Sequence, residues 1–322
     1  MARSDHGRRI RPLAVLAPAV AAAGIYVAER RAVARWAEAD DRYRNEPQIV
    51  GGDQRWIDTP GGARIRVVEQ GDGPPVILAH GFTSTADQWG PVAARLRDDG
   101  LRVIAYDQRG HGRSSSGNGR FQPRELGDDL AAVLRATAPE GAVVVGHSMG
   151  GIGIQAMLAD HPSLRNDLRA VVLVATLARP VDVPLGKLMA WLGGTSLARR
   201  VMGNRLHGRI LARGGVGRQP ANVVLDVVRN GWAACADSTR AGVMRDLRDF
   251  DFSEALNTVD LPVTVVAGDL DQVTPFEENQ RIAELLPNGR LVRLPGIGHA
   301  AHWEAADRVA DIVIAHIGGE QS

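Results

Sequence analysis

The feature that most constrains the fold is a turn between a β-branched run and a helix-like run. Val143–Val145 has the composition of a buried strand, and Gly146–Gly150 follows it with the pattern Gly-x-Ser-x-Gly. A helix-like stretch, Ile152–Asp160, comes next. So short a connection predicts a strained backbone at Ser148, with its hydroxyl raised above the carboxyl edge of a sheet. Glycine is expected at both flanking positions, because a β-carbon there would crowd the neighbouring strand or helix.

Strand-like and helix-like runs alternate on both sides of this turn. Trp56–Asp58 and Arg64–Glu69 flank a Pro-Gly turn, which predicts an antiparallel hairpin. Further strands are predicted at Val76–Ala79, Arg102–Tyr106, Ala170–Ala175, Pro262–Ala267 and Arg290–Leu294, and helices at Thr85–Asp98, Pro123–Ala136, from Pro275 to Leu286 and at Trp303–Ile317. This alternation predicts an α/β fold with a mostly parallel central sheet and helices on both faces.

The alternation stops over residues 176–249, where no strand signal occurs and apolar residues recur at helical spacing. We therefore expect a core formed by residues 46–175 and 250–322, with residues 176–249 as an inserted helical cap over the carboxyl edge of the sheet. The apolar residues of the cap, expected to pack on the core rather than to contact a substrate, are Leu185, Leu188, Met189, Trp191, Leu192, Val201, Met202 and Leu206. The arginines among them, for which a solvated face is expected and contact with anionic lipid is the alternative, are Arg199, Arg200, Arg205, Arg209 and Arg213.

Residues 1–45 differ in composition from the rest of the chain. Arg8, Arg9 and Arg11 precede an uncharged stretch, 13–28, which is short for a helix that spans a bilayer. Three interpretations remain open: a membrane anchor or a segment that associates with the membrane surface, a cleaved export signal, or a surface helix packed on the domain. The first predicts a protein at a membrane or in the cell envelope, and the last leaves a cytoplasmic location open.

Charge and cysteine content exclude several classes of function. A formal net charge of +1, with basic residues scattered along the chain, does not indicate a nucleic acid partner. The single cysteine, Cys235, excludes an intrachain disulfide and a multi-cysteine metal site, and we expect it to be a packing residue. No cluster of histidines, cysteines and carboxylates suggests a metal, and the glycines are not spaced for a dinucleotide or a P-loop.

A nucleophilic serine needs a base within hydrogen-bonding reach and a carboxylate that orients the base. Candidates for both follow Ser148 in loops after predicted strands: Asp269 or Asp271 for the acid, and His299 or His302 for the base. We favour His299 as the base, because His302 is expected at a helix start, and both aspartates stay open as the acid. Two further histidines, His111 and His147, are expected to be structural and satisfied by hydrogen bonds.

These motifs together resemble the α/β-hydrolase fold. The segments His80–Gly81, Asp107–Ser114 and Gly298–His299 are similar to those of its esterase, lipase and cofactor-free haloperoxidase branch, and the resemblance covers about residues 54–318. A serine at the position of the nucleophile sets the chain apart from the epoxide hydrolases and haloalkane dehalogenases, which use aspartate. The resemblance implies chemistry without a cofactor.

The resemblance also selects among the candidate site residues. Asp271 matches the family pattern Gly-x-x-Asp-x-x-x-Pro, which leaves Asp269 as a turn-capping residue. A tetrahedral intermediate requires hydrogen-bond donors for its oxyanion. The backbone N–H of Met149 is one expected donor, because it follows the nucleophile at the start of a helix, and the resemblance places the other at the backbone N–H of Phe82.

Ester hydrolysis through an acyl-enzyme on Ser148 is the function that these features favour. An apolar cap indicates a hydrophobic small-molecule substrate, such as an acyl chain or a lipid-derived ester. Two alternatives remain open: haloperoxidase, perhydrolase or carbon–carbon hydrolase chemistry on the same residues, and a non-catalytic binding protein on a hydrolase scaffold.

Overall fold

The structure, a computed structural model, describes residues 52–138, 140–181 and 193–319. Eight strands form one sheet in the order β1-β2-β4-β3-β5-β6-β7-β8. The strands are β1 Asp53–Asp58, β2 Arg64–Gln70, β3 Pro75–Ala79, β4 Arg102–Tyr106, β5 Ala142–His147, β6 Leu168–Val174, β7 Val263–Gly268 and β8 Gly289–Leu294. Strand β2 pairs antiparallel with β1 and β4, and every other pairing in the sheet is parallel. The predicted mostly parallel α/β fold is confirmed.

Helices cover both faces of this sheet. They are α1 Gly90–Asp98, α2 Pro123–Thr137, α3 Met149–Asp160, α4 Ser196–Gly203, α5 Arg205–Ala212, α6 Asn222–Ala234, α7 Asp237–Asp246, α8 Ser253–Leu256, α9 Phe276–Leu285, α10 Ala301–Glu304 and α11 Ala306–Gly318. Short 3₁₀ turns lie at Ala86–Trp89, Pro162–Asp167 and Arg213–Gly215.

Alternate residues of each central strand belong to two different hydrophobic clusters. In β5, Val144 packs with residues of α2, α3 and α9, whereas Val143 and Val145 pack with residues of α1 and α11. All three valines are fully buried. Because the strand is covered on both faces, an uninterrupted β-branched run is favourable here, and each buried valine contributes about 1.5–3 kcal/mol of transfer free energy.

Two predicted helices differ from the observed ones. The first of them begins as the 3₁₀ turn Ala86–Trp89, and α1 starts only at Gly90, where Pro91 occupies the first turn and lacks an N–H to continue a helix from upstream. The predicted closing helix is interrupted at Ala305, whose backbone angles (φ −139°, ψ 43°) are not helical. It is therefore two helices, α10 and α11.

Helices α4 to α7 lie between β6 and β7 in the chain, and we call residues 193–249 the inserted segment. Leu185 to Leu192 of the apolar set fall outside the described residues, as does the whole of residues 1–45. Of the rest of that set, Met202 is buried whereas Val201 and Leu206 are partly buried. The division into core and cap remains a prediction. Within the described part of the chain, we find no helix that combines the length and apolarity needed to cross a bilayer.

For one arginine of the inserted segment, the prediction of a solvated position is wrong. Arg209 is 9% exposed, and its guanidinium forms a two-point ion pair with Asp226, which is also bonded to Arg229. Helices α5 and α6 bring these side chains together, which spacing along one helix could not indicate. Arg199, Arg200 and Arg205 are exposed, as the prediction has them.

Candidate active site

Ser148 lies on a sharp connection between β5 and α3. Its backbone angles, φ 52° and ψ −117°, are ones that non-glycine residues rarely adopt, and such strain costs about 1–3 kcal/mol. Hydrogen bonds hold it there: its N–H donates to Val174 O at 3.0 Å, and the Thr176 hydroxyl donates to Ser148 O at 2.8 Å. A β-carbon on Gly150 would overlap the carbonyl of Ala79. This close approach explains why glycine is required there, as expected.

His299 lies in the loop after β8, at hydrogen-bonding distance from Ser148. Its Nε2 is 3.1 Å from Ser148 Oγ, and its Nδ1 is 2.9 Å from Asp271 Oδ2. A carboxylate can only accept, so Nδ1 carries the proton and Nε2 is left to accept from the serine hydroxyl. The imidazole is therefore in the tautomer that a general base for Ser148 requires.

Asp271 lies in the loop after β7, and four donors surround its buried carboxylate. Oδ1 accepts from the N–H groups of Val273 and Thr274 at 2.8 and 2.9 Å, and Oδ2 accepts from the Thr274 hydroxyl at 2.6 Å besides His299. Burial opposes ionisation of Asp271, but the His299 ring and the hydrogen bonds from His299 and Thr274 outweigh it and hold the pKa of Asp271 below its ordinary value. Asp271 is therefore charged at neutral pH.

The rival acid, Asp269, faces a different group. Its Oδ1 accepts from the N–H of Gly296 at 2.6 Å, and its Oδ2 pairs with Arg293 at 3.0 Å. The Gly296 N–H and then Arg293 lower the pKa of Asp269. It ties the turn after β8 to the end of β7, as expected of a turn-capping residue.

The structure thus brings together Ser148, His299 and Asp271, whereas Asp269 and His302 occupy other positions. His302 lies at the start of α10, as expected, and its ring packs on His147 at a centroid distance of 4.1 Å. Burial lowers the pKa of His302 to about 3, so this ring is neutral. The catalytic roles themselves remain predictions.

The two predicted oxyanion donors lie on segments that touch. Among the described residues, neither the N–H of Met149 nor that of Phe82 meets a hydrogen-bond acceptor. Phe82 lies in the loop after β3, between Gly81 and Thr83. A β-carbon on Gly81 would lie 3.2 Å from Cβ of Ser148, so this loop packs directly on the turn that carries the serine. Neither N–H group is therefore committed to another partner among the described residues, and their role as oxyanion donors remains a prediction.

Hydrogen bonds hold the loop that carries Phe82 in a strained backbone conformation. Thr83 has a positive φ of 59°, and its N–H donates to His111 Nε2 at 3.3 Å. His111 Nδ1 in turn donates to Arg109 O at 2.9 Å, so both ring nitrogens are used, as expected. Burial, followed by the neighbouring His80, lowers the pKa of His111 to about 3. The ring is a neutral structural support.

The prediction for His147 is wrong in one respect. Its Nε2 donates to the backbone oxygen of His299 at 2.8 Å, which supports the structural role. Its buried Nδ1, however, has no partner among the described residues, so the ring is only half satisfied. Burial, with the neighbouring rings of His302 and His299, holds the pKa of His147 well below its ordinary value. A neutral ring carries the smaller desolvation cost in such a setting.

Sequence reasoning missed three polar residues that support the site. Thr274 bonds to Asp271, Thr176 bonds to Ser148, and the fully buried Asn279 joins the two through the N–H of Thr176 and the carbonyl of Thr274, both at 3.0 Å. Thr274 could have been found by its position in the loop of the acid. Asn279 carries no sequence signal, because it reaches the site only through the packing of α9 on β7 and β8.

Two other expectations concern metal and cysteine chemistry. Within the described residues, we find no group of three or more histidines, cysteines or carboxylates that could hold a metal ion. Cys235 is 8% exposed, and burial raises the pKa of its thiol to about 11. The thiol is therefore protonated at neutral pH, which suits the packing role predicted for it.

The inserted segment reaches the site through α6. Trp232 packs edge-on against Phe82 with a ring-centroid distance of 5.7 Å. A β-carbon on the preceding Gly231 would overlap the backbone oxygen of Thr83, so the helix rests on the loop that carries Phe82. Phe82 also packs against a buried cluster formed by Phe121, Leu126, Met149 and Val243.

Comparison with known proteins gives a consistent result at the level of sequence. A family model described as alpha/beta hydrolase fold matches residues 74–306. A bifunctional esterase/perhydrolase from Acinetobacter calcoaceticus is 30% identical over 264 residues, which are 76% of this chain and 92% of that protein. A non-heme haloperoxidase from Rhodococcus erythropolis is 28% identical over 267 residues, which are 78% of this chain and 95% of that protein.

Solved structures with the same fold include two esterases. The chain superposes on an esterase from Exiguobacterium antarcticum with a TM-score of 0.73 at 18% identity, covering 84% of this chain and 100% of that one. A thermophilic esterase from Thermogutta terrifontis gives a TM-score of 0.69 at 25% identity, covering 83% of this chain and 99% of that one.

Proposed function

The chain belongs to the α/β-hydrolase family, and from this premise we propose that it is a serine hydrolase that cleaves a carboxylic ester through an acyl-enzyme on Ser148. The observation that carries the proposal is the continuous hydrogen-bonded line from the Ser148 hydroxyl through His299 to Asp271, with contacts of 3.1 and 2.9 Å. A serine hydroxyl is a weak nucleophile at neutral pH, and this line supplies both a base and the group that orients the base.

In the first half of the reaction, His299 Nε2 takes the hydroxyl proton as Ser148 Oγ attacks the ester carbonyl. The ionised Asp271 stabilises the imidazolium that forms. The N–H groups of Met149 and Phe82 stabilise the negative charge that develops on the carbonyl oxygen, and each such donor lowers the barrier by about 3–4 kcal/mol in other serine hydrolases. His299 then protonates the leaving alcohol, and the acyl group stays on Ser148.

The second half repeats these steps with water. His299 removes a proton from a water molecule, which attacks the acyl carbonyl, and the collapse of the second tetrahedral intermediate returns the proton to Ser148 and releases the acid. Every proton that moves passes through one nitrogen, Nε2 of His299.

Apolar groups around the nucleophile support a hydrophobic substrate. Phe82 and Trp232 are partly buried and pack edge-on beside the turn of Ser148, and Phe82 rests on the buried cluster that contains Met149. An ester with an apolar acyl or alcohol group would bury more apolar surface here than a polar ester. Such burial contributes about 25 cal/mol of binding free energy per Å² of apolar surface. A lipid-derived ester belongs to this class.

Perhydrolysis is a second candidate function, because the relative from Acinetobacter calcoaceticus is named for both esterase and perhydrolase activity. Hydrogen peroxide would take the place of water in the second half: one peroxide oxygen bonds to the acyl carbon, the bond to Ser148 Oγ breaks, and His299 returns the proton to the serine. The product is a peroxy acid, so formation of peroxy acid that depends on peroxide distinguishes the two functions.

Replacement of the nucleophile tests the proposal. Ser148→Ala should abolish hydrolysis of p-nitrophenyl esters and labelling by a fluorophosphonate, because the acyl-enzyme can no longer form. Circular dichroism should show an intact fold. A panel of p-nitrophenyl esters with graded acyl length then measures the preference for apolar groups.

Ser163→Ala is the matched control, since Ser163 is an exposed serine in the 3₁₀ turn that follows the opposite end of α3 from Ser148. It should keep the activity and the label of the wild-type protein. Unchanged turnover in Ser148→Ala, or a label found on another residue by mass spectrometry, would contradict the assignment.

A further inference from the structure

Glu304, at the end of α10, holds two separate segments of the chain with one carboxylate. Its Oε1 accepts from the N–H of Gly298 at 3.2 Å, and its Oε2 accepts from the N–H of Gly217 at 2.5 Å. Gly298 directly precedes His299, whereas Gly217 belongs to the inserted segment. Burial is the main cause of a raised pKa at Glu304, and the two N–H donors oppose it. Because burial of a charged carboxylate is unfavourable, its oxygens are expected to accept hydrogen bonds, and both oxygens of Glu304 do.

Residues 215–218 of the inserted segment lie along the loop that carries His299. The N–H of His299 donates to Gly215 O, and the N–H of Arg218 donates to Gly296 O, both at 2.8 Å. With the bond from Gly217 to Glu304, three hydrogen bonds join the two segments, and the bond from Gly298 ties Glu304 to the loop of His299.

The two segments meet backbone to backbone. A β-carbon on Gly298 would overlap the backbone of Val216, and one on Gly217 would overlap the carbonyl of Gly296. Glycine at both positions permits this approach. On its other side, the loop packs on β7, because a β-carbon on Gly268 would overlap the carbonyl of Ile297. The loop of His299 is thus held between the sheet and the inserted segment.

We propose that Glu304 is a positioning residue for His299, which ties the loop of the imidazole to residues 215–218 so that the distance from Nε2 to Ser148 Oγ depends on the docking of the inserted segment. The proposal rests on the proposed function for its kinetic readout. Proton transfer is sensitive to such placement, since a displacement of about 1 Å can cost about 100-fold in rate.

Glu304→Gln removes one of the two acceptors while it keeps the size of the side chain. The amide retains one carbonyl oxygen and turns an NH₂ group towards the other backbone N–H, so that two donors face each other. We expect kcat for a p-nitrophenyl ester to fall about 10- to 100-fold with KM within about twofold of wild type, and the rate of fluorophosphonate labelling to fall by the same factor.

Asp269→Asn is the matched control. Asp269 also accepts from a backbone N–H of the same loop, that of Gly296, but its other oxygen faces the exposed Arg293 rather than the inserted segment. The amide oxygen of asparagine can still accept from Gly296. We therefore expect kcat and the labelling rate of this variant to stay within about twofold of wild type.

A second variant tests the same contact from the other side. Gly217→Ala adds a methyl group where the Gly296 carbonyl and the Glu304 carboxylate lie, which should push the two segments apart without any change at Glu304. The same loss of kcat at constant KM is expected. This variant decides the matter if Glu304→Gln does not fold.

A readout that needs no turnover separates this proposal from the proposed function. The proton between His299 Nδ1 and Asp271 can be observed by ¹H NMR, and we expect its resonance to shift or broaden in Glu304→Gln and Gly217→Ala but not in Asp269→Asn. An unchanged resonance with unchanged kcat, or equal losses in Asp269→Asn, would overturn the proposal. A wild-type protein that neither hydrolyses esters nor takes the label would refute only the proposed function, and the resonance would still decide the role of Glu304.

Discussion

At the scale of single residues, the site depends on how completely each polar atom is bonded. Asp271 receives four donors and His299 lies between two partners, so neither side chain can rotate away without loss of hydrogen bonds. Ser148 instead retains a strained backbone, which the bonds from Thr176 and to Val174 maintain. These hydrogen bonds hold the hydroxyl and the imidazole in one arrangement against the strain of the Ser148 backbone.

The two carboxylates of the loop after β7 should differ sharply on substitution. Asp271→Asn leaves the size of the side chain but favours the wrong tautomer of His299, and we expect kcat to fall about 10³- to 10⁴-fold. Asp269→Asn should change kcat by about twofold or less. Steady-state kinetics with a p-nitrophenyl ester measures both, and the reverse order of effects would exchange their roles.

Thr274 should contribute stability that depends on pH. Because the pKa of Asp271 is lower in the folded protein than in the unfolded chain, the unfolded chain takes up the proton first as the pH falls, so the stabilisation present at neutral pH is lost below about pH 4. Thr274→Val removes the charge-assisted bond of 2.6 Å and should reduce the free energy of unfolding by about 1–3 kcal/mol at pH 7.

Urea denaturation of wild type and Thr274→Val as a function of pH provides the measurement. The difference between their midpoints should be largest at neutral pH and should shrink as the pH falls below about 4. A difference that is constant with pH would mean that the threonine acts through packing rather than through the charge of Asp271.

At the scale of elements, the site is joined by hydrogen bonds between loops as well as by the residues that react. Asn279 on α9 accepts from the N–H of Thr176 after β6 and donates to the carbonyls of Thr274 and Pro275 in the acid loop. The hydroxyl of Thr176 in turn donates to the backbone oxygen of Ser148. The loop of the acid and the turn of the nucleophile are thereby linked without His299.

Asn279→Ala should loosen this link. The substitution leaves buried backbone groups unpaired, which costs about 1–3 kcal/mol for each group. It should also lower kcat, because the relative positions of Asp271 and Ser148 are no longer fixed by Asn279. Thermal unfolding and ester kinetics report the two effects. Asn288→Ala, at an exposed asparagine that bonds to Asp260, is the control and should change neither by much; a matching loss there would contradict the role of Asn279.

At the scale of the whole molecule, the strand order decides which loops meet. Strands β3, β5, β6, β7 and β8 are parallel neighbours, so the loops that follow them gather at one edge of the sheet. The inserted segment, which lies between β6 and β7 in the chain, is found at this same edge. It contacts both the Phe82 loop and the His299 loop. We propose that residues 176–249 act as a cap.

Membrane association belongs to this scale, because it concerns residues 1–45 as a unit. We expect full-length protein to sediment with anionic vesicles and a chain of residues 46–322 to stay in the supernatant, since arginines beside an apolar stretch favour such a surface. A high-salt wash separates electrostatic from apolar attachment. Equal partition of the two chains would remove the proposed association.

The fold and the loops that carry the three central side chains could be predicted from the sequence, and the family pattern then selected Asp271 over Asp269. Strand-like runs and tight turns are local signals: β-branched residues in succession, glycines that flank Ser148, and a carboxylate or histidine directly after a strand. Since parallel strands end at one edge, the positions of Ser148, Asp271 and His299 in the chain already implied that they would meet.

Only the tertiary structure decided which groups support those side chains. Arg209 is buried because α6 brings Asp226 to it, Asn279 reaches the site because α9 packs on β7 and β8, and Glu304 bonds to Gly217 because two distant segments meet at glycines. Each of these contacts joins residues far apart in the chain through backbone groups or charges that no local pattern marks. The order of residues determined where the reactive groups lie, and the packing of helices on the sheet determined what holds them there.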